Sequence, residues 1–242
     1  MTGSSLQLFL VGIGTGNPDH VTRQGERALR EADLLLLPRK EGKDGLAQVR
    51  LEIAERLEIA RIAPFDMPVR DASGEYLPGV HDWHDAVARA WEGALAAHPE
   101  ARSAALMVWG DPSLYDSALR IAERLSPAPE ISVVPGITAL QALTAAHAIP
   151  LNDLGAPVTI TTGRCLREEG MTADRMAVML DGECSFRGLP EGTRIWWGAY
   201  LGMAEEMVEA GTVAETSGRI LARRAEGRAA MGWIMDCYLL AR

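Results

Sequence analysis

The sequence predicts an α/β protein of two domains, a mostly parallel N-terminal sheet followed by an α+β domain with a mixed sheet. Three observations predict it. Apolar runs of about six residues, each ended by turn residues, alternate with amphipathic stretches as far as residue 134, the pattern of strands joined by helical crossovers. Pro135-Gly136 interrupts that pattern, and strand-like runs dominate beyond it. The 242 residues, 48% apolar and 24% charged, suffice for two modest domains with buried cores and are too apolar for a disordered chain. The domains are therefore expected at residues 1–134 and 135–242.

The elements follow in order. Leu6–Val11 is a first strand running into Gly12-Ile-Gly-Thr-Gly-Asn-Pro-Asp-His20. Thr22 is an N-cap for a helix over Arg23–Glu31, and Leu34–Leu37 is a strand ended by Pro38. Leu46, Val49, Ile53, Ala54 and Leu57 share one helical face, and Arg61–Phe65 is a short strand. Val80, Trp83, Val87, Trp91, Ala94 and Leu95 mark another amphipathic helix. The run from Ala104 to Val108 then stops at Trp109-Gly110-Asp111, and the helix-start residues Pro112 and Ser113 open a helix to Leu125. That turn lies at the carboxyl end of a strand, where open α/β sheets bind ligands. Glu130–Val134 is a fifth strand, and Thr138–Ala148 is a helix of small residues. Further strands are expected at Val158–Thr162, Met176–Leu180, Arg194–Tyr200, Arg219–Ala222 and Trp233–Leu240.

Composition narrows the function. A net charge of -9 without a long basic run argues against nucleic acid. No stretch approaches the roughly 20 apolar residues that span a bilayer, and no basic leader precedes the first strand, so no membrane is expected and a cytoplasmic location is. Cys165, Cys184 and Cys237 lie far apart and read as reduced bystanders. His81 and His84, three apart on a helix, share a face but show no third ligand, so no metal is expected.

The glycine-rich loop invites comparison with a dinucleotide site. Such a site needs a third glycine at the position Asn17 occupies and an acid about 20 residues on. Both are missing, which leaves a tight turn, a different ligand, or an NADP site using Arg39. Gly110-Asp111-Pro112 by itself suits an N-capping turn equally well.

The glycine-rich loop, the Gly-Asp-Pro loop, Val133-Val-Pro-Gly-Ile-Thr138 and Ile149-Pro-Leu151 come in this order at these separations. Together they resemble the tetrapyrrole (corrin/porphyrin) methylases over nearly the whole chain. That resemblance implies the two-domain class III methyltransferase fold, S-adenosyl-L-methionine as methyl donor in the cleft between the domains, a tetrapyrrole substrate and a homodimer. Carried over by position, it makes Pro18, Trp109, Gly110, Asp111, Leu114, Thr138, Ala139, Asp181 and Gly198 cofactor-binding residues. The family usually has glycine at Trp109 and methionine-glycine at Asp181-Gly182, so an indole and a carboxylate alter the packing and charge there. Asp111 has two readings, an anion favouring the sulfonium or a loop cap.

Phe65–Asp71, Val108–Tyr115, Leu180–Phe186 and Trp196–Gly202 resemble most the members of the family that act in cobalamin biosynthesis on C-1 of precorrin-5 and release acetate. Methyl transfer needs alignment more than a nucleophile. Acetate release needs water to attack a ketone and hence a general base, for which His20, Asp111 and Glu183 are candidates. Arg39, Lys40 and Arg70, just after strands of one sheet, suit the carboxylates of a corrin precursor. The other readings are a methylase of the same family acting on another ring carbon, an NADP oxidoreductase and a non-catalytic tetrapyrrole-binding protein.

Overall fold

The computed structural model describes residues 5–39, 44–70 and 76–242, and the chain divides into two units, Met1–Ile137 and Thr138–Arg242. The first unit runs β1 (Gln7–Gly12), α1 (Arg23–Glu31), β2 (Leu34–Arg39), α2 (Asp44–Arg56), β3 (Ile62–Asp66), α3 (Tyr76–Ala96), β4 (Ser103–Val108), α4 (Ala118–Ala122) and β5 (Glu130–Val134). All five strands are parallel, in the order β3-β2-β4-β1-β5. Strands covered on both faces read as unbroken apolar runs, which is why Leu34–Leu37 and Ala104–Val108 show no alternation. Leu8, Leu10, Leu36, Leu106 and Val108 meet Val87, Ala88 and Trp91 of α3 and Ile121 of α4 in one core, with Phe65 edge-on to Trp91.

Parallel order puts every carboxyl end on one sheet edge. Thr22 caps α1 through its hydroxyl, as its position predicts, accepting from the Gly25 N–H at 3.0 Å. Pro38 does not end β2: the pairing with β4 stops at Leu36, and Leu37–Arg39 continue only along β3. A proline without its N–H is tolerated there because nothing pairs on its other side.

The helix expected over Ser113–Leu125 is confined to Ala118–Ala122. Asp111 captures the Ser113 N–H and hydroxyl, Tyr115 adopts a left-handed conformation (φ 50°), and the Asp116 carboxylate accepts the Ala118 N–H at 2.6 Å. Local side-chain bonds of this kind compete with the helix and delay its start. Residues 135–137 group with the first unit, because the Gly136 N–H donates to Asp111 Oδ2.

The second unit runs α5 (Ala139–Ala146), β6 (Thr159–Thr162), α6 (Gly163–Glu169), β7 (Arg175–Met179), β8 (Arg194–Ala199), β9 (Met207–Thr212), α7 (Val213–Met231) and β10 (Asp236–Ala241). Its sheet is mixed, β6-β7-β10-β8-β9, with only β6 and β7 parallel. The strand expected at Arg219–Ala222 is a correction, since these residues lie inside α7. A capping box between Thr212 and Glu215 starts that helix, and its buried stripe is Val213, Thr216, Ile220, Arg224 and Gly227, too polar to show as an apolar period. The edge strand β9 and the short α6 are not foreshadowed by any apolar pattern.

Arg224 ties the unit together. Its Nη1 donates to the Asp181 carbonyl (3.1 Å) and to Cys184 Sγ (2.7 Å), and its Nε lies 3.4 Å from Asp236 Oδ2. Asp236 also accepts Trp197 Nε1 at 2.7 Å; burial pushes its carboxyl up, and Arg224 and Trp197 oppose that shift. Removing one member of a buried ion pair strands the other, at a cost of about 3–5 kcal/mol. Asp236→Ala is therefore expected to lower unfolding stability by about that amount in a denaturant titration, and Asp236→Asn, which retains an acceptor for Trp197, by less.

Candidate functional site

The carboxyl edge of the parallel sheet is built from backbone packed on backbone. Gly110 and Gly14 exchange hydrogen bonds, Gly110 N to Gly14 O at 2.7 Å and Gly14 N to Gly110 O at 3.2 Å, so the loops after β1 and β4 form an antiparallel bridge. A Cβ at Gly136 would stand 2.1 Å from Gly110 O, and one at Gly12 would stand 2.6 Å from Gly136 N. Only glycine permits that approach, and here the partner is the chain itself.

Asp111 lies across this junction and is buried. Its Oδ1 accepts the Ser113 N–H (2.8 Å) and hydroxyl, and its Oδ2 accepts the Gly136 N–H (2.8 Å). Burial alone would raise its carboxyl, but the hydrogen bonds from Ser113 and Gly136 outweigh it and hold the group below the usual carboxylate range. An anion so committed is a loop clasp, which argues against its candidacy as a base at neutral pH. Around it stand half-buried Trp109 and Leu114 and the exposed Tyr115. Pro18 opens a short 3-10 turn over Pro18–His20, with Asn17 as its cap. His20 packs its Cβ over Gly14 and lies 3.4 Å through Nδ1 from the Thr15 hydroxyl.

The basic residues divide. Arg39, at the end of β2, pairs with Asp66 of β3 at 3.0 Å on the same edge, both exposed. Arg70 follows β3 and is exposed, and Lys40 lies outside the described residues. Sequence reasoning missed Arg50 and Asp116. Arg50 of α2 reaches through Nε to the Met107 carbonyl of β4 (3.3 Å), and its charge favours the carboxylate of half-buried Asp116. The signal available was an arginine three residues before Ile53 in an otherwise apolar helix stripe.

In the second unit, Thr138 caps α5, its hydroxyl accepting from the Leu140 N–H at 3.2 Å, and the Ala139 carbonyl accepts the Cys237 thiol. Gly198 sits under α5, where a Cβ would meet Leu201 and Leu143. Asp181 is turned into the fold. It is buried and accepts from the Glu183 and Ser185 N–H groups, the Ser185 hydroxyl and the Tyr238 hydroxyl (2.6 Å). Its carboxylate also fills the space a side chain at Gly163 would need. Glu183 is exposed and pairs with Arg167 at 3.2 Å. The histidine pair on α3 faces a cation: His81 Nδ1 lies 3.0 Å from Arg124, while His84 is buried without a hydrogen bond among the described residues and burial depresses its pKa. Among the described residues no group of three His, Cys, Asp or Glu is placed to hold a metal, and no helix is long and apolar enough to cross a membrane.

A parallel sheet with glycine-built loops at its carboxyl edge, followed by a mixed-sheet unit, defines a two-unit α/β protein of the class III methyltransferase type. The chain belongs to the tetrapyrrole (corrin/porphyrin) methylases, whose family pattern matches residues 7–217. It is a tetrapyrrole methyltransferase. It is 47% identical, over 98% of its length and 95% of the relative's, to the precorrin-6A synthase (deacetylating) of Sinorhizobium sp.. A solved cobalamin-synthesis-related protein (CobF) from Corynebacterium diphtheriae matches with a TM-score of 0.84 at 34% identity, covering 98% of this chain and 99% of that one. The uroporphyrin-III C-methyltransferase of Thermus thermophilus, solved with S-adenyl homocysteine, shares the fold at a TM-score of 0.63 and 19% identity, covering 98% and 97% of the two chains.

The clasp has a measurable signature. Asp111→Asn turns an amide N–H toward Ser113 or Gly136, and the loss at neutral pH is expected to be about 1–3 kcal/mol in denaturant unfolding. The folded carboxyl titrates below its unfolded value, so its contribution is complete above the unfolded pKa and is lost as pH falls through the folded one. Wild type and variant should therefore converge in stability in strong acid.

Proposed function

We propose that this chain is an S-adenosylmethionine-dependent precorrin-6A synthase that methylates C-1 of precorrin-5 and releases acetate, in cobalamin biosynthesis. The observation that carries the reading is likeness to the Sinorhizobium enzyme across both units rather than over a single motif. S-adenosylmethionine supplies an electrophilic methyl group on a sulfonium cation.

The residues present suit such a group. The buried carboxylate Asp111 is already matched by its three donors, so the loops offer backbone and partly exposed apolar surface from Trp109, Leu114 and Tyr115 without an uncompensated buried anion. In this reading Pro18, Trp109, Gly110, Asp111 and Leu114 hold the cofactor from the first unit. Thr138, Ala139 and Gly198 are the further cofactor residues of this reading, with Asp181 contributing backbone only. Arg39 and Arg70 take acetate and propionate carboxylates of the substrate, as guanidinium groups do well. Their work is alignment, because the sulfonium needs no further activation and a near-attack geometry supplies most of the gain.

Anaerobic incubation with S-adenosylmethionine and precorrin-5 tests the reading directly. Equal amounts of S-adenosylhomocysteine and acetate are expected. S-adenosylhomocysteine without acetate would move methylation to another ring carbon, and neither product would leave a different substrate or a binding role. The same reading makes the protein a cytoplasmic homodimer, for which light scattering should return twice the chain mass of 26.1 kDa.

A further inference from the structure

Acetate release sets a demand that methyl transfer does not. Water must add to a ketone, and a base must accept its proton near neutral pH. Such a base needs an acceptor not already consumed by the fold and a position on the ligand-binding edge. Asp111 fails the first condition, because both of its oxygens are taken. Glu183 is paired with Arg167 on the surface, and His20, on the first loop with Nδ1 toward Thr15, is the rival base.

Asp116 meets both conditions. It closes the loop that begins at Gly110, after Tyr115, which holds a left-handed backbone and is partly exposed. Its Oδ1 accepts the Ala118 N–H, and among the described residues no side chain donates a hydrogen bond to either oxygen. Arg50 and Arg120 favour its ionised form electrostatically. Arg50 comes from α2, reaching the end of β4 where β2 no longer pairs, and Arg120 comes from α4, with its Nη1 on the Asp116 carbonyl at 2.9 Å. The backbone of Ser117 and Ala118 completes its surroundings.

Resting on the deacetylating reading above, we propose that Asp116 is the general base that activates water for acetate release, with Arg50 the positioning residue that steadies its carboxylate. Water oxygen adds to the ketone carbon as its proton passes to Asp116, and the carbonyl electron pair moves to oxygen. When that pair returns, the bond from the acyl carbon to the ring carbon breaks. Its electrons stay with the ring carbon and form the new bond to the methyl group, whose bond to sulfur breaks with its electron pair passing to sulfur as S-adenosylhomocysteine leaves. Acetic acid leaves and ionises, and Asp116 returns its proton to solvent. Burial raises the Asp116 carboxyl above its ordinary value, while Ala118, Arg50, Ser117 and Arg120 oppose the shift, so the group is a better proton acceptor than a surface aspartate.

The test follows acetate release by wild type, Asp116→Asn and Arg50→Met across pH, beside S-adenosylmethionine affinity by calorimetry. Asparagine keeps an oxygen for the Ala118 N–H, so affinity and thermal unfolding should stay near wild type while acetate release falls about 10²–10⁴-fold. Wild-type rate should rise with pH as the carboxyl ionises, and that limb should vanish in Asp116→Asn. In Arg50→Met it should move to higher pH, since the arginine favours the ionised form. Acetate release by Asp116→Asn within about threefold of wild type, or a residual rate keeping the same limb, overturns the proposal. Wild type that consumes S-adenosylmethionine and precorrin-5 without acetate overturns the deacetylating reading, and the proposal with it, a result read on wild type alone.

Discussion

The constraint on which the first unit depends is the close approach of three backbones, at Gly12, Gly110 and Gly136, where parallel strands reach their carboxyl ends. A single methyl group at Gly136 would lie 2.1 Å from a carbonyl oxygen. The approach brings the Gly136 N–H within reach of Asp111, and one carboxylate then joins the loop after β4 to the segment after β5. The bridge between Gly14 and Gly110 joins the loop after β1 to both. The carboxyl edge of the sheet is thus held together by contacts within the chain itself.

The second unit uses buried polarity for the same purpose. Asp181, Arg224 and Asp236 lie in the interior and connect the segment after β7, helix α7 and strand β10. Buried ion pairs are weak evidence of net stability, but each partner here satisfies further donors or acceptors, which suits a role in fixing one arrangement of segments. It also accounts for the departure from the family pattern at Asp181, whose carboxylate replaces an apolar side chain and is answered by the Tyr238 hydroxyl and the Ser185 backbone.

The contrast between the two aspartates of the loop after β4 is physical rather than compositional. Asp111 and Asp116 stand five residues apart, yet one is drawn below its ordinary range by three donors and the other raised by burial with fewer bonds to offset it. A strand-to-helix turn that began its helix at Ser113 would have carried Asp116 within the helix. The delayed start places it just before the Ser117 N-cap instead, where its carboxylate accepts the Ala118 N–H.

Periodicity, capping residues and glycine spacing were enough to determine the mostly parallel N-terminal sheet, the Thr22 cap and the family resemblance. Those features rest on local chemistry, which a sequence displays directly. What α7 buries was hidden because its inward stripe includes Thr216, Arg224 and Gly227, and β9 was hidden because Met-Val-Glu-Ala-Gly-Thr has no strand signature apart from its partner β8. The inward turn of Asp181, the clasp at Asp111 and the influence of Arg50 on Asp116 were decided only by tertiary structure. Each depends on which donors or charges, from segments as far as 66 residues apart in the case of Arg50 and Asp116, the fold sets around a carboxylate, and neither spacing nor composition carries that information.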